Sequence, residues 1–266
     1  MNTDTPNPLL LVLKHVDYFY HKTLLDLRIK YKKTLLGIGW VLVTPLFFLA
    51  LYASVHMVIY DVQPQNVSAL QFVTMMFCGL MCVFGFAESL SSSSNAFASN
   101  QALMLNSHMT PEVLVAQTSL FGFINCLMGI CIACVVIFLS GYATPYMMLV
   151  PVILFAQMLF TIGLGWIFSI LTLLIKDLQF MIRFLTLALI IISPIAYTQD
   201  MVPPKMALLV YLNPVSYFII PYQEILILGR MPSIDIICSM LALSGLTFII
   251  GYRFFTRMRN TIVDYV

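Results

Sequence analysis

Long apolar runs alternate with short polar breaks along almost the whole chain. Roughly 20 apolar residues in a helix cross the hydrocarbon core of a bilayer, and runs of that kind occur over 35–60, 72–90, 117–139 and 148–175, with a shorter one over 182–197 and a last one over 234–254. The second is extended by the small polar tract 91–95. Ahead of the first run, Val16, Tyr20, Leu24, Leu27, Tyr31 and Leu35 recur at spacings of three or four. Lys14, Asp17, His21, Lys22, Arg28, Lys32 and Lys33 fall largely off that stripe. The spacing predicts an amphipathic helix over 9–33. Such a helix lies in the membrane interface with its cations toward anionic head groups, or packs as a cytosolic helix on a partner.

The stretch 198–233 is ambiguous. Residues 206–228 are apolar enough for another span, but Pro203, Pro204, Pro214 and Pro221 interrupt it, and proline in a helix interior costs about 3 kcal/mol. Charge decides between the readings. With six spans, Lys14, Lys22, Arg28, Lys30, Lys32, Lys33, Lys176, Arg183, Arg253, Arg257 and Arg259 are all cytoplasmic, and only Lys205 and Arg230 are external. A seventh span would put the basic C-terminal stretch outside, against the positive-inside bias. The expected architecture is therefore all-α: an interfacial helical segment (1–34), then a six-helix membrane domain (35–266) with both termini cytoplasmic. Residues 201–230 form a re-entrant external hairpin before the last span. Irregular backbone at membrane depth is tolerated where protein buries it or where it lines a cavity. No internal repeat or second domain is legible.

Composition agrees: 61% of the 266 residues are hydrophobic and 9% charged, against roughly 25% charged in soluble domains. No secretory signal is legible, so the chain is expected to insert through its own first span. The net charge of +2 points to no nucleic-acid partner. Cys78, Cys82, Cys126, Cys131, Cys134 and Cys238 all lie in apolar runs. The Cys131/Cys134 spacing has no second pair and no nearby histidine, which favours packing over metal or redox chemistry.

Several chemistries are missing. No phosphate-binding G-x-x-x-x-G-K-[ST] loop, no H-E-x-x-H and no G-x-S-x-G occurs, and the histidines and carboxylates are scattered. No catalytic residue, metal site or cofactor is expected in this chain. The spans also lack the chain of ionisable groups that ion-coupled transporters use. Glu88 adjoins the polar tract 89–95, where it is either functional or solvated. Glu224 lies in the hairpin, where it shapes an exit or caps and pairs locally. Tyr197, Tyr211, Tyr217, Phe218 and Tyr222 cluster around the hairpin, as an interfacial aromatic belt, as a stacking surface for sugar rings, or as both.

Arg28 and Tyr31, then Leu36-Gly37, Trp40 and Pro45, form an ordered signature. It is followed by Lys176-Asp177, by Ser193-Pro194-Ile195 leading into Met201-Val202-Pro203, by Asn213-Pro214 and Gly229, and by the basic stretch 253–259. In this order the chain resembles, over its whole length, the membrane subunits of polysaccharide-export ABC transporters. The resemblance implies a homodimeric channel in the bacterial inner membrane, paired with two copies of a separate ATPase that carries ATP-Mg. It further implies a polyprenyl-pyrophosphate-linked glycan as cargo, with O-antigen ahead of capsule or teichoic acid. ATP-driven motion would reach the channel through 100–117, with His108, Thr110, Pro111 and Glu112 at its centre. Thr110 is expected to N-cap a short helix with Pro111 in its first turn. The family often has Lys or Arg in this loop, and here it has none. Arg28, Lys30, Lys32 and Lys33 sit at head-group depth, where they either contact the carrier pyrophosphate, Arg28 foremost, or hold anionic membrane lipids. Two rivals stand beside this reading: a drug or small-lipid exporter of the same class, and a membrane enzyme of lipid-linked glycan assembly.

Overall fold

The computed structural model describes residues 16–59, 67–101, 104, 110–198 and 204–259, and every regular element among them is helical. Helix α1, Val16–Tyr31, ends where the Thr34 amide and hydroxyl both donate to the Tyr31 carbonyl, at 3.1 and 2.9 Å. Gly37 then takes a positive φ of 53°, a left-handed conformation that favours glycine. It turns the chain into a 3₁₀ turn (Gly37–Gly39) and α2, Trp40–Ser54, which runs on as a π turn to Ile59.

Helix α3, Ala69–Ser94, opens on a capping box. The Ser68 hydroxyl accepts from the Gln71 amide, and the Gln71 side chain accepts from the Ser68 amide. A short α4 (Ala96–Ser99) precedes α5, Pro111–Leu139. A 3₁₀ turn at Pro145–Leu149 leads into α6, Val150–Leu174. Then come α7 (Leu178–Ile192), α8 (Pro204–Leu212), α9 (Ser216–Leu226) and α10 (Ile234–Arg257).

Five of these segments are long and apolar enough to cross a membrane: Gly37–Ile59, Ala69–Ser94, Pro111–Leu139, Pro145–Leu174 and Ile234–Arg257. They match the expected runs, with three differences. The expected fifth span, 182–197, is the 15-residue α7, which at 1.5 Å per residue is only about 22 Å long. It stops before Pro194, which cannot donate to the helical ladder. The expected helix over 9–33 is seen from Val16 to Tyr31, and 9–15 lie outside the described residues. Its apolar stripe is also not the face that docks. Phe19 is buried, with Lys22 and Asp26 half-buried, while Tyr20 and Leu24 are exposed. Finally, the short helix expected after Thr110 is the first turn of the 29-residue α5 itself.

The core forms around α3, which packs on α2, α5, α6, α7 and α9. Helix–helix association in lipid relies on small residues that let backbones approach closely. Gly85 of α3 lies against Cys126, Gly122 of α5 against the Glu88–Ser89 backbone, and Gly163 of α6 against Gly251 of α10. Buried amides fasten α9 and the turn before it. Gln223 Nε2 donates to the Pro194 carbonyl, Asn213 Nδ2 to Ser193 Oγ at 2.8 Å, and the Tyr222 hydroxyl to Gln157 Oε1 at 3.2 Å. Gln157 in turn donates to the Cys82 carbonyl at 3.2 Å. At the opposite extreme, α2 buries only Val41 and Pro45 and leaves the rest of its length largely exposed.

Candidate functional site: a cleft beside the first span

Because α2 touches the core only along one edge, a gap remains between it, the end of α1, α3 and α7. This cleft is about 600 Å³. Successive turns of α2 supply Val41, Pro45 and Phe48, spaced four and three apart and so on one face. Met81, Phe84 and Glu88 come from α3, and Ile182, Arg183 and Thr186 from α7. The lining is graded. Phe48 and Phe84 meet edge to face with centroids 5.0 Å apart in the apolar part. Lys30, Thr34, Glu88, Ser91, Asn125, Arg183 and Thr186 bring the polar groups.

Lys30 and Glu88 dominate the polar part. Lys30 Nζ donates to Glu88 Oε1 at 2.7 Å, and the ammonium also lies 5.5 Å from the Tyr31 ring centroid and 5.4 Å from that of Phe121. Burial pulls the lysine pKa down, but the charge and hydrogen bond of Glu88, with Tyr31 adding to them, outweigh it, and the pKa is raised. Lys30 is therefore fully charged at neutral pH. Both side chains are more than a third exposed, at 38% and 35%, so the pair is screened and contributes roughly 0–1 kcal/mol. A second link holds α1: Gln117 Nε2 donates to Asp26 Oδ2 at 3.0 Å, and Asp26 also pairs with Lys22.

The four basic residues expected to act together are split. Arg28 and Lys32 line a separate shallow recess of about 390 Å³ with Leu35, Leu36, Gly37 and Ile38. Lys30 turns into the main cleft, Tyr31 and Thr34 border both spaces, and Lys33 lines neither. Sequence reasoning missed the pairing of Glu88 and the place of Arg183 in this cleft. The amphipathic phase of α7 is the one signal that could have turned Arg183 inward, and nothing in the sequence registers residue 30 against residue 88.

The aromatic group also separates. Phe218 and Tyr222 are fully buried. Phe218 extends a stack with Phe160 and Phe86, with centroid spacings of 5.1 and 5.6 Å. Neither can face a sugar within this subunit, which corrects that part of the expectation. Tyr197, Tyr211 and Tyr217 remain at least partly exposed, and the Tyr197 and Tyr217 hydroxyls donate to the Ile192 and Tyr211 carbonyls at 3.0 and 2.9 Å. Glu224 pairs locally, with Arg230 Nη2 at 3.0 Å.

At the far end of the core, Thr110 occupies the N-cap position of α5 without a side-chain capping bond, and Pro111 opens the helix. Glu112 is buried rather than presented for docking. Its Oε1 lies 3.5 Å from Arg259 Nη1, its Oε2 has no hydrogen-bond partner, and its carbonyl accepts from the Trp166 indole at 3.0 Å. His108 lies outside the described residues. No group of His, Cys, Asp and Glu suited to a metal occurs among those described.

Residues 25–227, which contain α2 to α9, match the family described as ABC-2 type transporter. The chain is 27% identical over 241 residues to an O-antigen export system permease protein RfbA of Klebsiella pneumoniae, covering 88% of this chain and 89% of that protein. A second protein of that name from the same organism is 26% identical with the same coverage. One from Myxococcus xanthus is 23% identical, covering 82% of this chain and 84% of that protein. With a multi-pass helical core and a family match across most of its length, the chain belongs to the ABC-2 type transporter family of membrane subunits.

Proposed function

We propose that this chain is the permease subunit of an ATP-driven exporter that moves a polyprenyl-pyrophosphate-linked polysaccharide, O-antigen foremost, across the bacterial inner membrane. The observation that carries the proposal is the graded cleft, in a chain that resembles O-antigen permeases along nearly its full length. A lipid-linked glycan has an apolar tail, a doubly charged pyrophosphate and a polar sugar chain. The cleft offers an aromatic interior to the first and two cations, Lys30 and Arg183, to the second. Arg28 and Lys32, in the neighbouring recess, would meet the same head group as it approaches along the interface, Arg28 by forking onto phosphate oxygens.

The finer topology belongs to this reading. The exposed Tyr20, Leu24 and Ile29 of α1 suit a helix lying in the interface. Helices α8 and α9 are each too short to span, which suits a re-entrant hairpin, and α7 with the segment after it would complete a sixth crossing. Both termini would then be cytoplasmic, in line with the lysine and arginine bias. Two copies of this chain would pair with two separate ATPase subunits, which hold ATP-Mg. The segment ahead of Pro111 would receive their motion and pass it to α5.

Complementation tests the proposal. Cells lacking the gene are expected to lose surface polysaccharide and to accumulate lipid-linked glycan inside, and the intact chain to restore export. Arg28→Lys should restore it only partly, because the charge remains and the fork is lost. Full surface polysaccharide without the gene would refute the proposal. Full restoration by Arg28→Lys would confine Arg28 to lipid anchoring.

A further inference from the structure

We propose that Glu88 is a specificity-determining residue of the cleft: a built-in anion that an incoming pyrophosphate must displace from Lys30, so that singly charged head groups are turned away. The inference rests on the reading of the cleft as the site of a pyrophosphate-linked carrier. Among the described residues, Glu88 is the one carboxylate lining the cleft, which the two cations Lys30 and Arg183 also line. It already occupies Lys30, at 2.7 Å. Arg183 makes no ion pair with a described residue; its guanidinium lies 6.0 Å from the Phe180 ring centroid. At rest the cleft therefore holds two positive charges and one negative, and an excess of one cation is a poor trap for a dianion while the carboxylate stays in place.

Exchange resolves the imbalance. A pyrophosphate diester carries two negative charges and balances Lys30 and Arg183 together. A monoanionic head group can answer Arg183 alone, and must still compete with Glu88 for the lysine. The exchange is feasible because of where Glu88 sits. Its side chain is 35% exposed, so the displaced carboxylate turns into water. The side chain of Glu112, at 4%, would be stranded by the same loss of a partner. Lys30 also keeps its aromatic neighbours Tyr31 and Phe121 when the carboxylate leaves, so the ammonium stays in position for the incoming oxygen atoms.

The test uses the full chain in nanodiscs of neutral phosphatidylcholine, with two farnesyl-linked sugars as probes: one joined through a pyrophosphate diester, which carries two charges, and one joined through a monophosphate diester, which carries one. The intact protein is expected to bind the pyrophosphate at least tenfold more tightly than the monophosphate. Glu88→Gln should tighten both, the monophosphate more, and reduce that ratio several-fold. Glu88→Asp, which keeps the charge on a shorter arm, should move the ratio in the same direction by less. It serves as the second variant if the glutamine form has a lowered thermal midpoint. Lys30→Met should weaken pyrophosphate binding, and adding Glu88→Gln to it should change nothing further. Pyrophosphate binding with an unchanged ratio in both Glu88 variants would overturn the exchange and leave the cleft as the pyrophosphate site. So would a Glu88→Gln effect that persists without Lys30. Absence of pyrophosphate binding by the intact protein would overturn both.

Discussion

Gly251→Leu is expected to remove the folded protein from the membrane, while Gly245→Leu, less than two turns away on the same helix, leaves it intact. A side chain at position 251 would start on the carbonyl of Gly163, so α10 and α6 would have to part along their shared face. At position 245 nothing beyond the adjoining residues and the helix's own backbone lies within 4 Å of an added Cβ. Overpacking of a tight interface costs about 1–3 kcal/mol and more where backbone must move, and here the obstacle is backbone. In lipid the loss is not offset elsewhere, because apolar side chains gain little by leaving one apolar surface for another. Monodisperse protein recovered after detergent extraction is the readout. Equal recovery of the two variants would show that α6 and α10 are not packed through these glycines.

Arg259→Glu is expected to abolish export and lower stability by about 1–3 kcal/mol, less than the loss of a fully buried partner because Arg259 is itself half-exposed. Glu112 is 3% exposed and has Arg259 as its cation. Loss of that cation strands the carboxylate, and a second carboxylate in its place repels it. Glu112→Gln should be much milder, because an amide keeps the shape and leaves no buried charge. The order of severity, Arg259→Glu over Arg259→Ala over Glu112→Gln, distinguishes this arrangement from a surface contact between Glu112 and an ATPase, for which Glu112→Gln would be at least as harmful as Arg259→Ala. Thermal midpoint and surface polysaccharide, measured together, separate the two. The pair joins the start of α5 to the end of α10, so it ties two helices at the end where motion from an ATPase would arrive.

Hydropathy alone marked the spans because a bilayer demands length and apolarity from each, and those are local properties. It left the end of α7 open, since an apolar run says nothing about where Ser193-Pro194 stops the helix. The amphipathic segment was legible as a helix but its docking face was not. Phe19, Lys22 and Asp26 turn inward because Gln117 offers Asp26 a partner, a contact across 91 positions that no periodicity encodes. The Lys30–Glu88 pair is of the same kind, joining positions 58 apart. The aromatic group misled for the opposite reason. Tyr217, Phe218 and Tyr222 are close in sequence, but residues four apart share a helix face and adjacent ones do not. Phe218 and Tyr222 therefore enter the core while Tyr217 stays at its edge.

Photo-crosslinking from the cleft during export is the most direct measurement. A benzophenone side chain at Thr44, which lines the cleft, and one at Leu241, exposed on the outer face of α10, are compared in exporting cells. A lipid-linked glycan adduct is expected at Thr44 and not at Leu241. Equal adducts at both positions, or none at Thr44 while export continues, would contradict passage of the carrier through this cleft.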